Sequence, residues 1–374
     1  MIGRFVAVLL AASSTGVAAQ GTPRTALSKP DATFPEPFSS VAGLRELPDG
    51  RVLLSDRLEQ SVSILSLASG DLMPVGRQGQ GPGEYTMPGA LFAWPGDSSL
   101  LFDLGGMRGL TIAPGGAMGR TVDFQVPGGL PIMPQGVDGR GRIYARPPAL
   151  VQGGASPPDS AAIIRFLGGG TAADTVAWMR TSGVGGSVMA FRSNGGSAPA
   201  VRMTPYAPED GWAVAPDGRI VLVRAADYRV EWIGTDGRRT AGPRLPFTPV
   251  KIGKAEKEEW ADRMGGAVMM MRTPEGSRTM RPPRPNIDDQ TWPDAKPPFV
   301  ANGVRVTPEG ELWIEVSQRA GTGTPLYDVV DARGQRIRQV LLPEGRRLVG
   351  FGQGTLYAVR RDADDLEWLE RYRR

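Results

Sequence analysis

Along this chain, short runs of apolar residues are broken by tight Pro/Gly/Asp turns, and the same phrase recurs six times. Pro48-Asp49-Gly50 precedes Val52-Leu53-Leu54, Pro95-Gly96-Asp97 precedes Leu100-Leu101-Phe102, and Asp138-Gly139-Arg140-Gly141 precedes Ile143-Tyr144. Pro216-Asp217-Gly218 then precedes Ile220-Val221-Leu222, Pro308-Glu309-Gly310 precedes Leu312-Trp313-Ile314, and Gly352-Gln353-Gly354 precedes Leu356-Tyr357. Asp-Gly and its relatives supply the positive φ angles that two-residue hairpins need. Repeated hairpins at this length, without a helical period, predict an all-β chain folded as a six-bladed β-propeller over residues 36–374.

The turns at 48, 95, 138, 216, 308 and 352 are spaced by 47, 43, 78, 92 and 44 residues. A four-stranded blade takes about 40 to 50 residues, so the two long gaps hold a blade plus an insertion each. The first insertion, about 181–207, is rich in Gly, Ser and Ala and reads as a surface loop. The second, about 249–298, opens with helix formers. Its apolar positions Trp260, Met264, Val268 and Met271 predict an amphipathic helix from Lys254 to Met271, followed by an extended proline-rich half. Blade six lacks one strand before the chain stops. Residues near Thr33 to Phe38 are expected to pair beside its last strand and close the ring, since closure removes exposed sheet edges.

Residues 1–19 read as a signal peptide, with Arg4, an apolar run from Phe5 to Ala12 and a small-residue cleavage site at Val17-Ala18-Ala19. No stretch is long enough to span a bilayer. A periplasmic or secreted chain is expected, with a loosely held segment at 20–35. The 374 residues contain no cysteine and no histidine. That excludes disulfides, thiolate chemistry, Ser-His-Asp catalysis and His-ligated metals. Basic residues gather from Arg272 to Arg284 among prolines, but 43 Lys and Arg against 39 acidic residues give no strong basic field. This stretch reads as a solvated loop, and no nucleic-acid partner is expected.

The stretch Gly76-Arg77-Gln78-Gly79-Gln80-Gly81-Pro82-Gly83-Glu84-Tyr85, followed by Pro88, resembles a loop of exported bacterial six-bladed propellers of unassigned activity. Their architecture is related to NHL-repeat and gluconolactonase-like propellers. Thr248-Pro249-Val250 through Trp260 is similar to an insertion that such proteins carry. The resemblance implies the fold and, through the gluconolactonase-like branch, a divalent ion of the calcium type in the central channel. The oxygen ligands of that branch do not map here: the chain has three asparagines, and Asn194 and Asn286 fall in the insertions. No metal ligands and no catalytic residues are assigned, and no resident cofactor is expected.

The Gly76–Gly83 loop lacks the Lys-Ser/Thr of a phosphate-binding loop and the helix that should follow it, so it reads as a crossover between blades. Propeller ligands bind where inner strands line the channel. Arg45, Gln135, Asp210, Asn302 and Arg305 are the polar residues expected near those strands. The acidic groups Asp288-Asp289 and Asp362, Asp364, Asp365 sit in turns and do not face one another as an acid/base pair would. Most strand tryptophans (Trp178, Trp212, Trp232, Trp313, Trp368) read as packing between sheets. The leading class is a monomeric, non-enzymatic binding or scaffold module for a protein, peptide or glycan. The alternative is a divalent-metal-dependent hydrolase of the lactonase type.

Overall fold

A computed structural model describes residues 22–123, 132–147, 158–166, 173–182, 204–266, 269–273 and 276–374. The recurring turn builds the same antiparallel unit each time, four strands in sequence order in blades one to five and three in blade six. The first strands of the six blades are Val41–Glu46, Pro88–Ala93, Pro134–Val137, Gly211–Val214, Phe299–Val306 and Arg346–Gly352. From blade one to blade five, neighbouring first strands approach one another in turn, the strand of blade six returns to that of blade one, and blades five and six meet through a shared core. They form the wall of a central channel. Alternation puts one apolar row on each face of a blade, and the rows of adjacent blades meet in six separate cores. One of these joins Leu44, Val52 and Leu54 of blade one to Tyr357, Val359 and Leu369 of blade six. The ring is closed, as the turn spacing predicts.

Each inner strand carries a glycine, at 43, 89, 136, 211, 303 and 350. The reason is crowding. A Cβ on Gly43 would lie 2.6 Å from Gly89 O and 2.7 Å from Leu91 N, both backbone atoms of blade two. One on Gly211 would lie 2.5 Å from Val304 Cγ2 of blade five.

The missing outer strand of blade six comes from the other end of the chain. Ala32 pairs with Arg371 and Thr33 with Glu370, and Phe38 bridges to Glu367. Arg24–Ala26 also runs parallel to Arg336–Leu341 as a fifth strand of blade five. Part of the segment expected to be loosely held is thus a strap across blades five and six. It is held by ladder hydrogen bonds and by the buried side chains of Phe34 and Phe38. The proposed signal peptide and most of the 181–207 insertion lie outside the described residues.

Helix α1 spans Lys254–Gly265, where the Glu256 carboxylate accepts the Gly253 N–H at 3.0 Å. It stops short of the expected Met271. Gly265-Gly266 end it, because two consecutive glycines remove the helical preference of the preceding run, and Met269–Thr273 instead pairs with Gly276–Met280 in a hairpin. The helix buries Trp260 and Ala261 and docks on a turn of blade five, where Glu256 and Glu259 accept the N–H groups of Ala320 and Gly321. It lies between the outer strand of blade four and the inner strand of blade five, on the face that carries the blade-to-blade crossovers. Trp232 and Trp313 are buried as expected, but Trp178 stands 56 % exposed on the outer strand of blade three.

Candidate functional site

A one-residue bulge recurs where inner strands meet their partners, at Ala42, Gln135 and Val349. Blade five departs from this. Between Phe299↔Val316 and Val304↔Ile314, four inner-strand residues, Val300 to Gly303, oppose the single residue Glu315. Bulges re-aim side chains and concentrate beside sites. Asn302 stands exposed on this one, and Gly303 leaves room for the glutamate: a Cβ there would lie 2.5 Å from Glu315 Cβ and 3.2 Å from its Oε2.

The register of blade five sets Arg305 opposite Trp313 and Glu315 opposite Tyr327. All four therefore share the face turned toward blade six, where the Trp313 ring meets Phe351 at 5.1 Å. The Tyr327 hydroxyl donates to Glu315 Oε2 at 3.3 Å. Burial raises the Glu315 carboxyl above its ordinary value, while Tyr327, Arg305 and Arg263 of α1 pull it back. Burial also lowers the Arg305 guanidinium, against the pull of Tyr327 and Glu315, and Arg347 of blade six adds to the lowering. Burial pushes the Tyr327 hydroxyl upward as well. Arg305 makes no hydrogen bond or ion pair with any described residue. A group of titratable side chains shifted by burial and by one another, beside a channel, has the character of a functional site.

The five residues singled out in the sequence do not converge. Asn302 and Arg305 share the blade-five strand, and Gln135 is exposed on the bulge of blade three. Arg45 is on the blade-one wall, but its guanidinium donates to Asp97 O at 3.2 Å and to Ser98 O and Ser99 Oγ, bolting blade one to a turn of blade two. Asp210 is 4 % exposed and fully engaged. It accepts the N–H groups of Arg180 and Ala225 and the Arg224 guanidinium. Buried carboxylates play this stapling role elsewhere too: Asp56 accepts four backbone N–H groups, from Ser39, Ser40, Leu58 and Glu59. Sequence reasoning read Trp313 only as packing and did not single out Glu315 or Tyr327. The one signal was a lone acid in the apolar run Leu-Trp-Ile-Glu-Val.

Among the described residues no group of three or more acidic side chains gathers to hold a metal ion. A calcium-type ion takes six to eight oxygens, whereas the acid on this face, Glu315, is attended by Arg305, so the residues present do not fit such an ion. The Gly76–Gly83 loop borders an open depression of about 430 Å³ at the rim between blades one and two, with Arg77, Glu84 and Met118 in its walls. Glu84 is occupied there by Gly81 N–H at 2.8 Å and Arg77 Nε at 2.7 Å, the arrangement of a structural crossover.

No family model matches the chain, and no curated protein matches it. Solved propellers share its arrangement at low identity. An inferred exported protein of Bacteroides fragilis is 13 % identical with a TM-score of 0.49, covering 93 % of each chain. The calcium-binding regucalcin of Agrobacterium tumefaciens is 13 % identical with a TM-score of 0.42, covering 93 % of this chain and 95 % of that one. A gluconolactonase of Xanthomonas campestris is 13 % identical with a TM-score of 0.45, covering 91 % and 89 %. Neighbours so different in kind assign no activity to this chain. No helix among the described residues is long and apolar enough to cross a membrane.

Proposed function

We propose that this protein is an exported, monomeric binding propeller whose ligand seats in the channel wall where blade five faces blade six. Export rests on the targeting pattern of residues 1–19. One observation carries the binding reading: Arg305, half-enclosed in the channel wall, makes no hydrogen bond or ion pair with any described residue, and Glu315 acts on it only at longer range. A charge partly drawn from water and incompletely compensated costs the fold free energy, and a ligand can complete that compensation. The bulge at Val300–Gly303, unlike those of the other blades, presents Asn302 beside it. Peptides and glycans are the classes of ligand whose mixed polar groups suit Arg305, Asn302 and Glu315 together.

The test is a thermal-shift screen of peptides and oligosaccharides against the wild type and Arg305→Ala. A ligand at a hundredfold excess over its Kd stabilises the folded state by about 2.7 kcal/mol, a shift of several degrees. Ligands that shift the wild type and leave R305A unmoved support the reading. Ligands that shift both equally place binding elsewhere and sink it. Turnover of a bound lactone that stops on adding a chelator would move the protein to the hydrolase class.

A further inference from the structure

We propose that Asn302-Gly303 is a self-modification site, where the chain's own backbone converts a side-chain amide on the channel wall into a carboxylate. Asparagine is a thermolabile residue, because the next residue's backbone nitrogen can close a five-membered ring on its side-chain carbonyl carbon. A bulky following side chain, or a backbone fixed in a ladder or helix, holds the two apart. Neither protects Asn302. Residue 303 is glycine, the least hindered and most pliant choice, and packing keeps it so: a Cβ there would lie 2.5 Å from Glu315 Cβ and 3.1 Å from Val300 O. Ladder pairing stops at Phe299↔Val316 and resumes at Val304↔Ile314, which leaves Asn302 and Gly303 in the bulge between. The Asn302 side chain is exposed, and its amide bonds to no described residue. Gly303 is buried, but its nitrogen is an internal nucleophile that needs no path from solvent.

The other asparagines supply the contrast. Asn286 precedes the β-branched Ile287, and its side-chain oxygen accepts the Asp288 N–H at 3.1 Å as the cap of a short 3₁₀ turn. Asn194 precedes Gly195 and lies outside the described residues. At residue 302 the Gly303 nitrogen gives up its proton and bonds to Asn302 Cγ. The Cγ–Nδ2 bond breaks, and Nδ2 leaves with an added proton as ammonia. Water then opens the five-membered imide: attack at Cγ breaks the N–Cγ bond and gives aspartate, while attack at the backbone carbonyl breaks the other N–C bond and gives isoaspartate. Water is the one co-reactant, and nothing is oxidised or reduced. Either product replaces a neutral amide with an acceptor-only carboxylate, three residues before Arg305 on the same strand. Isoaspartate also lengthens the main chain by one atom, within a stretch already out of register.

The experiment incubates the purified protein at mildly alkaline pH, folded in buffer and unfolded in urea, and maps its peptides by mass spectrometry over time. In the folded protein the Asn302 peptide is expected to gain the mass of an NH₂-for-OH exchange and to split into aspartate and isoaspartate forms. Its rate should lie within about tenfold of the rate in urea, an added barrier of no more than about 1.4 kcal/mol. The folded Asn286 peptide should stay unchanged, and the Asn194 peptide is read separately. Asn302→Gln, at an exposed position, would have to close a larger ring and should leave its peptide unaltered over the same period. An Asn302 peptide that converts in urea but not in the folded protein overturns the inference, because the bulge then shields the dipeptide. The same mass gain in N302Q also overturns it, because the reacting amide then lies elsewhere. Both readouts are independent of whether a ligand seats beside Arg305.

Discussion

Truncating Phe34 tests whether the ring is closed by its own N-terminal strap. The Phe34 side chain is 0 % exposed, its N–H donates to Leu369 O at 2.9 Å, and its ring stacks on Phe38 at 5.7 Å. It packs in the core between blades six and one, with Val41, Val52, Tyr357 and Leu369. Removing a buried phenylalanine typically costs about 3–5 kcal/mol, from lost transfer energy and the cavity left behind. In a chain this long each kcal/mol lowers Tm by about 2 °C, so Phe34→Ala should melt about 6–10 °C below the wild type. The assay is thermal unfolding by far-UV circular dichroism at one scan rate, with Leu72→Ala, a truncation at an exposed strand position, as the control. If F34A melts with L72A, close to the wild type, the strap lies outside the cooperative unit and the reasoning fails.

Three further outcomes follow from contacts already described. Gly43→Ala should cost about 1–3 kcal/mol, the usual penalty of overpacking, because backbone atoms of blade two block the new methyl. Gly115→Ala, with nothing within 4 Å, should be near neutral, and equal melting of the two would refute the close approach. The Glu315 carboxyl is raised by burial above 4.5, so the wild type loses stability as pH rises through and above that value. Glu315→Gln should therefore match the wild type near pH 4 and gain on it toward pH 8; a pH-independent difference would contradict the assigned burial. Burial alone would raise Glu309, but Gly354 N–H, the Arg374 guanidinium and Thr307 hold it at about 2. Its contribution is present above 4.5 and lost as pH falls toward 2, so Arg374→Ala should be destabilised most at neutral pH, with a gap in Tm that narrows on acidification. A constant gap would refute this.

The ring was legible because its signal is local. Each Asp-Gly or Pro-Asp-Gly turn fixes a hairpin by itself, and six of them at blade spacing leave few alternatives. Strand pairing of Ala32 and Thr33 followed from counting strands in blade six. The site was not legible, because it depends on register. Arg305 stood out as a polar residue on an inner strand, but its tie to Trp313 and Glu315 appears only when two strands are aligned, and the four-residue bulge shifts that alignment. Arg45 and Asp210 show the converse: residue type marked them as channel groups, while their geometry spends them on a neighbouring turn and on backbone amides. The helix was overextended because Trp260 and Met264 keep a helical period up to Gly265-Gly266, and periodicity alone does not register two glycines as a stop.

The inner-strand glycines have a consequence for how such a channel can change. Where Gly43 and Gly211 sit, backbone is pressed against the next blade, so the calibre of the ring is set by the main chain. The bulge positions Ala42, Gln135 and Asn302 carry no such duty. Substitution there can change the chemistry of the channel wall while the frame holds still, which divides the wall into a fixed gauge and an editable lining.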